Sequence, residues 1–164
     1  MKIKTMNDLF TDMVKDVYSA ESQLIKAFPR MAKRVNSEEL RMSFEQHLKE
    51  TEIQKERLEQ VAEILDITPR GKKCAAMEGL LTEAEEVMEE IADPELLDAA
   101  LIAANQKVEH YEIASYGTLA TLAKMMGNKE ILDLLVLTLE EEKATDLRLT
   151  ELAVNVINEK AAQA

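Results

Sequence analysis

The chain has 164 residues, enough to bury a full core without a disulfide or a metal to hold it together. Aromatic residues are 4% with no Trp, 46% of residues are hydrophobic, and only four Gly and three Pro interrupt them, which excludes a many-stranded β fold and favours helix. With 20 Lys and Arg against 32 Asp and Glu the formal charge is −12, which argues against nucleic acid and anionic membrane as partners, since both select a cationic footprint.

Thr5 is placed to cap a first helix running to about Val35, with Pro29 inside it as a predicted kink. Ser37, followed by Glu38 and Glu39, caps a second that ends near Asp66. Thr68-Pro69-Arg70-Gly71 is a stop, and a shorter helix follows from about Cys74 to Ile91. Asp93-Pro94 pairs an N-cap with proline at the first helical position and opens a long helix to about Met126. Gly127-Asn128 closes it and caps the last, which continues to about Glu159. Four long helices therefore form two tight hairpins, joined by a connection of about 27 residues (67–93) that carries its own helix. Short, long, short is the loop order of an all-α, ferritin-like four-helix bundle with one long crossover, whereas an up-down bundle uses three short loops. No linker or composition shift divides the chain, so residues 1–164 read as a single domain. No run approaches the roughly 18 apolar residues of a membrane helix, and MKIKTMNDLF has no signal-like apolar core, so a cytoplasmic location is expected. The single cysteine excludes an internal disulfide and a four-cysteine metal centre.

The long helices carry apolar stripes at spacings of three and four. The first reads Phe10, Val14, Val17, Glu21, Leu24, Phe28, Met31, Val35; the second Leu40, Phe44, His47, Thr51, Gln54, Leu58, Val61, Leu65, with Glu50 beside it. After the crossover come Leu101, Asn105, Val108, Glu112, Ser115, Leu119, Leu122, Met126, and then Leu132, Leu135, Leu139, Glu142, Asp146, Leu149, Ala153. Glutamates thus interrupt core stripes. A buried carboxylate is costly unless it is protonated, paired or bound to a cation.

Depth follows from the turns. Glu21 and Glu50 are centred on the first hairpin turn, Glu112 and Glu142 on the second, and each stands roughly 22 Å from its turn at 1.5 Å per residue. Antiparallel packing brings the four to one level, and Glu109 and Asp146, one turn from Glu112 and Glu142, can join them. No Lys or Arg interrupts the stripes to neutralise such a cluster. Oxygen donors with an imidazole suit Fe, Mn or a similar divalent metal, and two ions balance the charge best. The competing reading is a merely structural bundle with protonated acids. His47 reads as a ligand or a donor to Glu50, with a hydrogen-bonded core histidine as the alternative, and His110 as a residue on the helix back. Tyr18 and Tyr116 read as core anchors ahead of carboxylate partners, Cys74 as a small packing residue without a base in reach, and the methionines as core filler.

The segments DVYSAESQL (16–24), HLKETE (47–52), KCAAMEGLLTEAEEV (73–87), KVEHYEIASYGTLATLA (107–123) and LEEEKATDLRLTELA (139–153) resemble the YciF-type stress-protein family, a ferritin-like group, over essentially the whole chain. The resemblance implies a four-helix bundle with extra helices, a homodimer, and kinship with rubrerythrin-like and manganese-catalase-like dinuclear proteins. It also places carboxylate ligand roles on Glu21, Glu50, Glu109, Glu112 and Glu142. The wider di-metal pattern has His three residues after Glu on two helices. Here Ile53 follows Glu50 and Thr145 follows Glu142, while His47 precedes Glu50 by three and Asp146 follows Glu142 by four.

Two functions are consistent with this. One is a dinuclear Fe or Mn protein that handles peroxide, oxygen or ferrous iron under stress, with metal candidates Glu21, His47, Glu50, Glu109, Glu112, Glu142 and Asp146. One cysteine cannot build a rubredoxin-type donor domain, so its reductant is an external partner. The other is a metal-free dimer with a structural or interaction role. The 74–91 helix offers Ala75, Met77, Leu80, Leu81, Ala84, Val87 and Met88 for burial, more than one bundle face is expected to cover.

Overall fold

The computed structural model describes residues 2–164, and helix is the only regular structure among them. Helix α1 spans Met6–Arg34 and opens on a capping box: the Thr5 hydroxyl accepts from the Asp8 amide, and the Asp8 carboxylate accepts from the Thr5 amide. Pro29 lies within α1 on its exposed side. Helix α2 spans Glu38–Ile64, capped by Ser37. Helix α3 (Ala75–Glu90) is capped by Cys74, and α4 (Pro94–Met125) by Asp93, whose carboxylate accepts from the Glu95 and Leu96 amides.

Helices α2 and α4 both end in a left-handed residue, whose own amide and the one after it return to the last turn. At α2 this is Asp66 (φ 52°), with Asp66 N–H to the Glu63 carbonyl and Ile67 N–H to Ala62. At α4 it is Gly127 (φ 71°), with matching bonds from Gly127 to Lys124 and from Asn128 to Ala123. Asn128 then caps α5 (Lys129–Leu152) through Ile131 N–H, so one residue ends one helix and starts the next.

The last helix is not continuous. A π-helical turn, Ala153–Ile157, separates α5 from the short α6, Asn158–Ala161. Leu149, Ala153, Ile157 and Ala161 are all buried, a strict spacing of four that drifts off one face of an α-helix. The wider turn brings the stripe back onto α4.

Contacts fix the directions. Tyr18 to Glu59 and Phe28 to His47 make α1 and α2 antiparallel; Asn36 to Asp98 and Asp16 to Tyr111 do the same for α1 and α4. Glu50 to Thr145 and Arg57 to Thr138 set α2 antiparallel to α5. The helices therefore run up, down, down, up, in the cyclic order α1, α2, α5, α4. The crossover climbs the bundle as α3, pairing Glu85 with Arg30 on α1 and Glu83 with Lys107 on α4. This is the ferritin-like bundle with one long crossover expected from the loop lengths.

The α3 apolar residues are largely covered by the bundle itself. Met77, Ala84 and Met88 are buried, Leu80, Leu81 and Val87 are partly buried, and Ala75 is exposed. The core falls into two apolar halves. One gathers Leu24, Phe28, Leu40, Phe44, Leu101, Val108 and Leu149; the other Phe10, Val14, Val17, Leu58, Val61, Leu119, Ile131 and Leu135. A polar layer lies between them.

Candidate metal centre

Each helix supplies the layer from its core stripe, and the predicted stripes of α1 and α2 are buried almost to the residue: all eight positions on α1, and Leu40 to Val61 on α2. The α4 stripe is buried except at Ser115 and Met126, which are partly covered, and it is wider than expected: Asp98 meets the α1/α2 turn, Glu109 meets His47 of α2, and Tyr116 meets Glu21 of α1, so these three are buried as well. On α5 the expected stripe needs correcting. Ile131, Leu135, Thr138, Glu142, Thr145 and Leu149 face inward, while Leu132, Leu139 and Asp146 stand at the margin.

The layer brings together His47, Glu109, Glu112 and Glu142, whose donor atoms all lie within 4.8 Å of one another. His47 Nδ1 is 3.0 Å from Glu109 Oε1 and its Nε2 is 3.5 Å from Glu142 Oε2. The Phe28 ring packs on the imidazole at 4.6 Å between centroids. Glu21 faces the same layer from α1, fully buried, and accepts a hydrogen bond from the Tyr116 hydroxyl. Asn105 Nδ2 donates to Glu109 at 3.1 Å, and Gln54 Nε2 donates to Glu142.

Burial pushes Glu21 and Glu109 up to about 8; the charge of Glu142 adds to the rise in both, whereas His47 opposes it. Glu112 is pushed well above the usual carboxylate range by burial and by the charges of Glu142, Glu21 and Glu109. Burial alone would favour neutral His47, but Glu109 and Glu142 outweigh it and hold the imidazolium well above its ordinary value. Glu142 behaves oppositely: burial is outweighed by the close contact with His47 and its charge, and its carboxyl lies below the usual range.

Two predicted site residues lie outside this group. Glu50 is half-buried at the α2/α5 margin, where Gln46, Thr145 and Arg148 donate to it, because its position on α2 is one step off the stripe. Asp146 turns toward the α4 surface and is held by Gln106 Nε2 at 3.2 Å and by exposed His110, 3.2 Å from its Oδ2. Tyr116 is both core anchor and carboxylate donor, whereas the Tyr18 hydroxyl reaches Glu59 instead. Cys74 is not isolated, as the sequence suggested: its Sγ is 3.2 Å from Asp16 and 3.1 Å from the Tyr111 hydroxyl. Met31, Met77 and Met88 are core filler, but Met42 and Met125 are exposed.

The donor set fits a metal. Among the described residues, the buried side-chain nitrogen and oxygen atoms without a hydrogen-bond partner are Glu21 Oε2, both His47 nitrogens, Gln54 Oε1, Asn105 Oδ1, Glu109 Oε2, both Glu112 oxygens and Glu142 Oε2. Every one belongs to this layer. Buried polar atoms are nearly always satisfied, so a cluster of orphans is a site awaiting a partner rather than ordinary core.

Residues 5–162 match the family described as "Domain of unknown function (DUF892)". The chain belongs to the DUF892 family. This DUF892 chain is 52% identical over 162 residues to Protein YciF of Escherichia coli K12, covering 98% of each. It superposes on the crystal structure of the E. coli stress protein YciF with a TM-score of 0.91, covering 95% of this chain and 99% of that one. YcfI from Rhodopseudomonas palustris gives 0.89 at 44% identity, covering 91% and 95%. A Xanthomonas campestris protein at 22% identity gives 0.78 over 97% and 98%, a likeness of fold alone. DUF892 membership accounts for the sequence resemblance to YciF-type proteins.

Proposed function

We propose that the protein holds a carboxylate-rich dinuclear iron or manganese centre in its mid-bundle layer and works in the cytoplasm as a stress-response protein that handles peroxide, oxygen or ferrous iron. The observation that carries this reading is the convergence on one layer of every buried side-chain nitrogen or oxygen without a hydrogen-bond partner among the described residues. His47, Glu109, Glu112 and Glu142 would hold the metal, with Glu21 beside them. Four carboxylates and a neutral imidazole are balanced by two divalent ions, and among the described residues no buried Lys or Arg is present to do it instead. The 52% identity to a protein described as a stress protein supports the setting.

A bound ion pair would supply Lewis acidity and electrons to a small oxidant. The chain's own contribution is to fix the ligands. Tyr116 orients Glu21, Asn105 orients Glu109, and Gln54 orients Glu142, while Phe28 closes the layer on the His47 side. The apolar halves above and below exclude water, so charges in the layer act at low dielectric. Reducing equivalents come from an external donor, since Cys74 cannot form a rubredoxin-type site alone. A homodimer is proposed with this reading, on the resemblance to YciF-type proteins; α3, already covered by its own bundle, adds little to it.

Metal analysis of protein purified without chelators and then loaded aerobically with Fe²⁺ or Mn²⁺ tests the proposal. About two ions per chain are expected, and their loss in Glu112→Gln. No ion in the loaded wild type overturns it. That outcome would favour the second reading, a metal-free structural bundle, for which one observation speaks: His47 lies between Glu109 and Glu142, so that an imidazolium faces one carboxylate with each ring nitrogen.

A further inference from the structure

Three sides of the polar layer are closed in different ways. The α1/α2 side is sealed by Phe28 and Phe44, 6.1 Å apart, and by Leu40. The α1/α4 side is overlaid by α3. The α2/α5 side has no helix across it among the described residues, and its contact surface is polar. Thr51 and Gln54 from α2, and Thr138 and Thr145 from α5, are all buried there at 1% exposure or less. Packing alone does not select this composition, since apolar residues of similar volume would fill the space without the need for hydrogen-bond partners.

Carboxylates stand at successive depths along this seam. Outermost is Glu141, with 31% of its side chain exposed, gripped by Arg57 through two bonds of 2.7 and 2.8 Å. Innermost is Glu142, fully buried. Gln54 connects them, its Nε2 donating to Glu141 at 3.1 Å and also to Glu142. The other end of that amide, Gln54 Oε1, is buried with no partner. One turn along, the half-buried Glu50 repeats the outer arrangement, with Arg148 at 3.4 Å and Thr145 Oγ1 at 3.3 Å.

We propose that the α2/α5 seam is the entry route for a divalent cation into the buried layer, with Glu141 as the receiving carboxylate and Gln54 as the link to Glu142; this assignment rests on the metal-centre reading above. A hydrated cation cannot shed water against an apolar wall, but oxygen donors at successive depths replace that water stepwise. Glu141 supplies the outer oxygens, Gln54 Oε1 an uncharged oxygen between the carboxylates, and Glu142 the inner ones. Arg57 neutralises Glu141 until a cation displaces it, and Gln54 needs only to turn its amide to exchange donor for acceptor. The recess of about 310 Å³ beside Phe28, Phe44, Ala32 and Leu48 is apolar at its floor and offers a cation no such ladder.

Stopped-flow loading of the chelator-stripped full chain with Co²⁺, followed by the cobalt ligand-field absorption, tests the route, with end-point stoichiometry from equilibrium dialysis. Glu141→Gln is expected to slow filling roughly tenfold while leaving the end point unchanged. Arg57→Met, which frees Glu141, is expected to speed it several-fold. Glu85→Gln is the matched control: it removes the same charge from an exposed glutamate paired with Arg30 on the far side, and filling should stay at the wild-type rate. If Glu141→Gln fills as fast as Glu85→Gln, the route is overturned. If Glu141→Gln instead loses an ion at the end point, Glu141 is a ligand and the entry role is equally overturned. Wild type that takes up no Co²⁺ defeats the metal-centre reading itself, an outcome distinct from both.

Discussion

Glu112 has neither carboxylate oxygen hydrogen-bonded and is fully buried among Glu21, Glu109 and Glu142, so it gains most from neutralisation. In metal-free protein that neutralisation is a proton. An acid whose folded pKa lies above its unfolded value holds its proton more tightly in the native state. Its stabilising contribution is complete below the unfolded pKa and lost as pH rises through the folded one. For Glu21 and Glu109 the usual value is 4.5 and the folded value about 8, and Glu112 and His47 are shifted in the same direction. The melting temperature of apo protein should therefore fall as pH is raised from about 5 to about 8. Glu142, held below its usual range, has the opposite sign and costs stability only at the acid end. Glu112→Gln removes the need to hold that proton at nearly constant shape, so apo Glu112→Gln should melt above apo wild type at about pH 8. A calorimetric scan in which the order is reversed would show that the layer carries no such repulsion.

At the scale of elements, α4 is the spine, since it meets α1, α3 and α5. Its first turns are tied down by Asp98, fully buried, which accepts the Asn36 and Ser37 amides at 2.7 Å each and so clamps the α1/α2 turn onto α4. Asp98→Ala leaves two backbone donors without their acceptor and should cost about 3 kcal/mol in urea unfolding. The α4/α5 turn offers a contrasting case. Nothing lies within 4 Å of a Cβ built on Gly127, so Gly127→Ala meets no steric obstacle, only the penalty of φ 71°. A loss of about 1 kcal/mol is expected; a variant as stable as wild type would mean that the turn relaxes to another conformation.

For the whole molecule, the polar layer separates two apolar halves, and whatever neutralises it couples them. A ligand that binds only the native state stabilises it by RT ln(1 + [L]/Kd), roughly 2.7 kcal/mol at a hundredfold excess over Kd. Fe²⁺ or Mn²⁺ should therefore raise the wild-type melting temperature and leave that of Glu112→Gln unmoved. An unmoved wild-type melt would count against a metal in the layer. The net charge of −12 acts in the same sense, because a cation entering so acidic a chain relieves long-range repulsion as well as local repulsion.

The residues of the chain already determine the helices, their caps, the loop order and most of the buried layer, because these depend on interactions within a few residues and on one periodic stripe. Thr5, Ser37, Asp93 and Asn128 cap by contacts one turn away, and Glu21, His47, Gln54, Asn105, Glu112 and Glu142 interrupt stripes that periodicity alone defines. Asp98 was legible too, since stepping the α4 stripe back three residues from Leu101 lands on it. Tertiary packing decided the rest. On α5 several alternations of three and four fit the sequence, and only contact with α2 and α4 selects Thr138 and Thr145 over Leu139 and Asp146. Glu50 matches the depth of the other glutamates but not their direction, and direction depends on how α2 is rotated against α5. Glu109 is buried because His47 of α2 and Glu142 of α5 close over its side of α4. The pairings of Arg57 with Glu141 and of Cys74 with Asp16 and Tyr111 join residues more than thirty positions apart, and no local pattern encodes the relative rotation of two helices that brings such residues into contact.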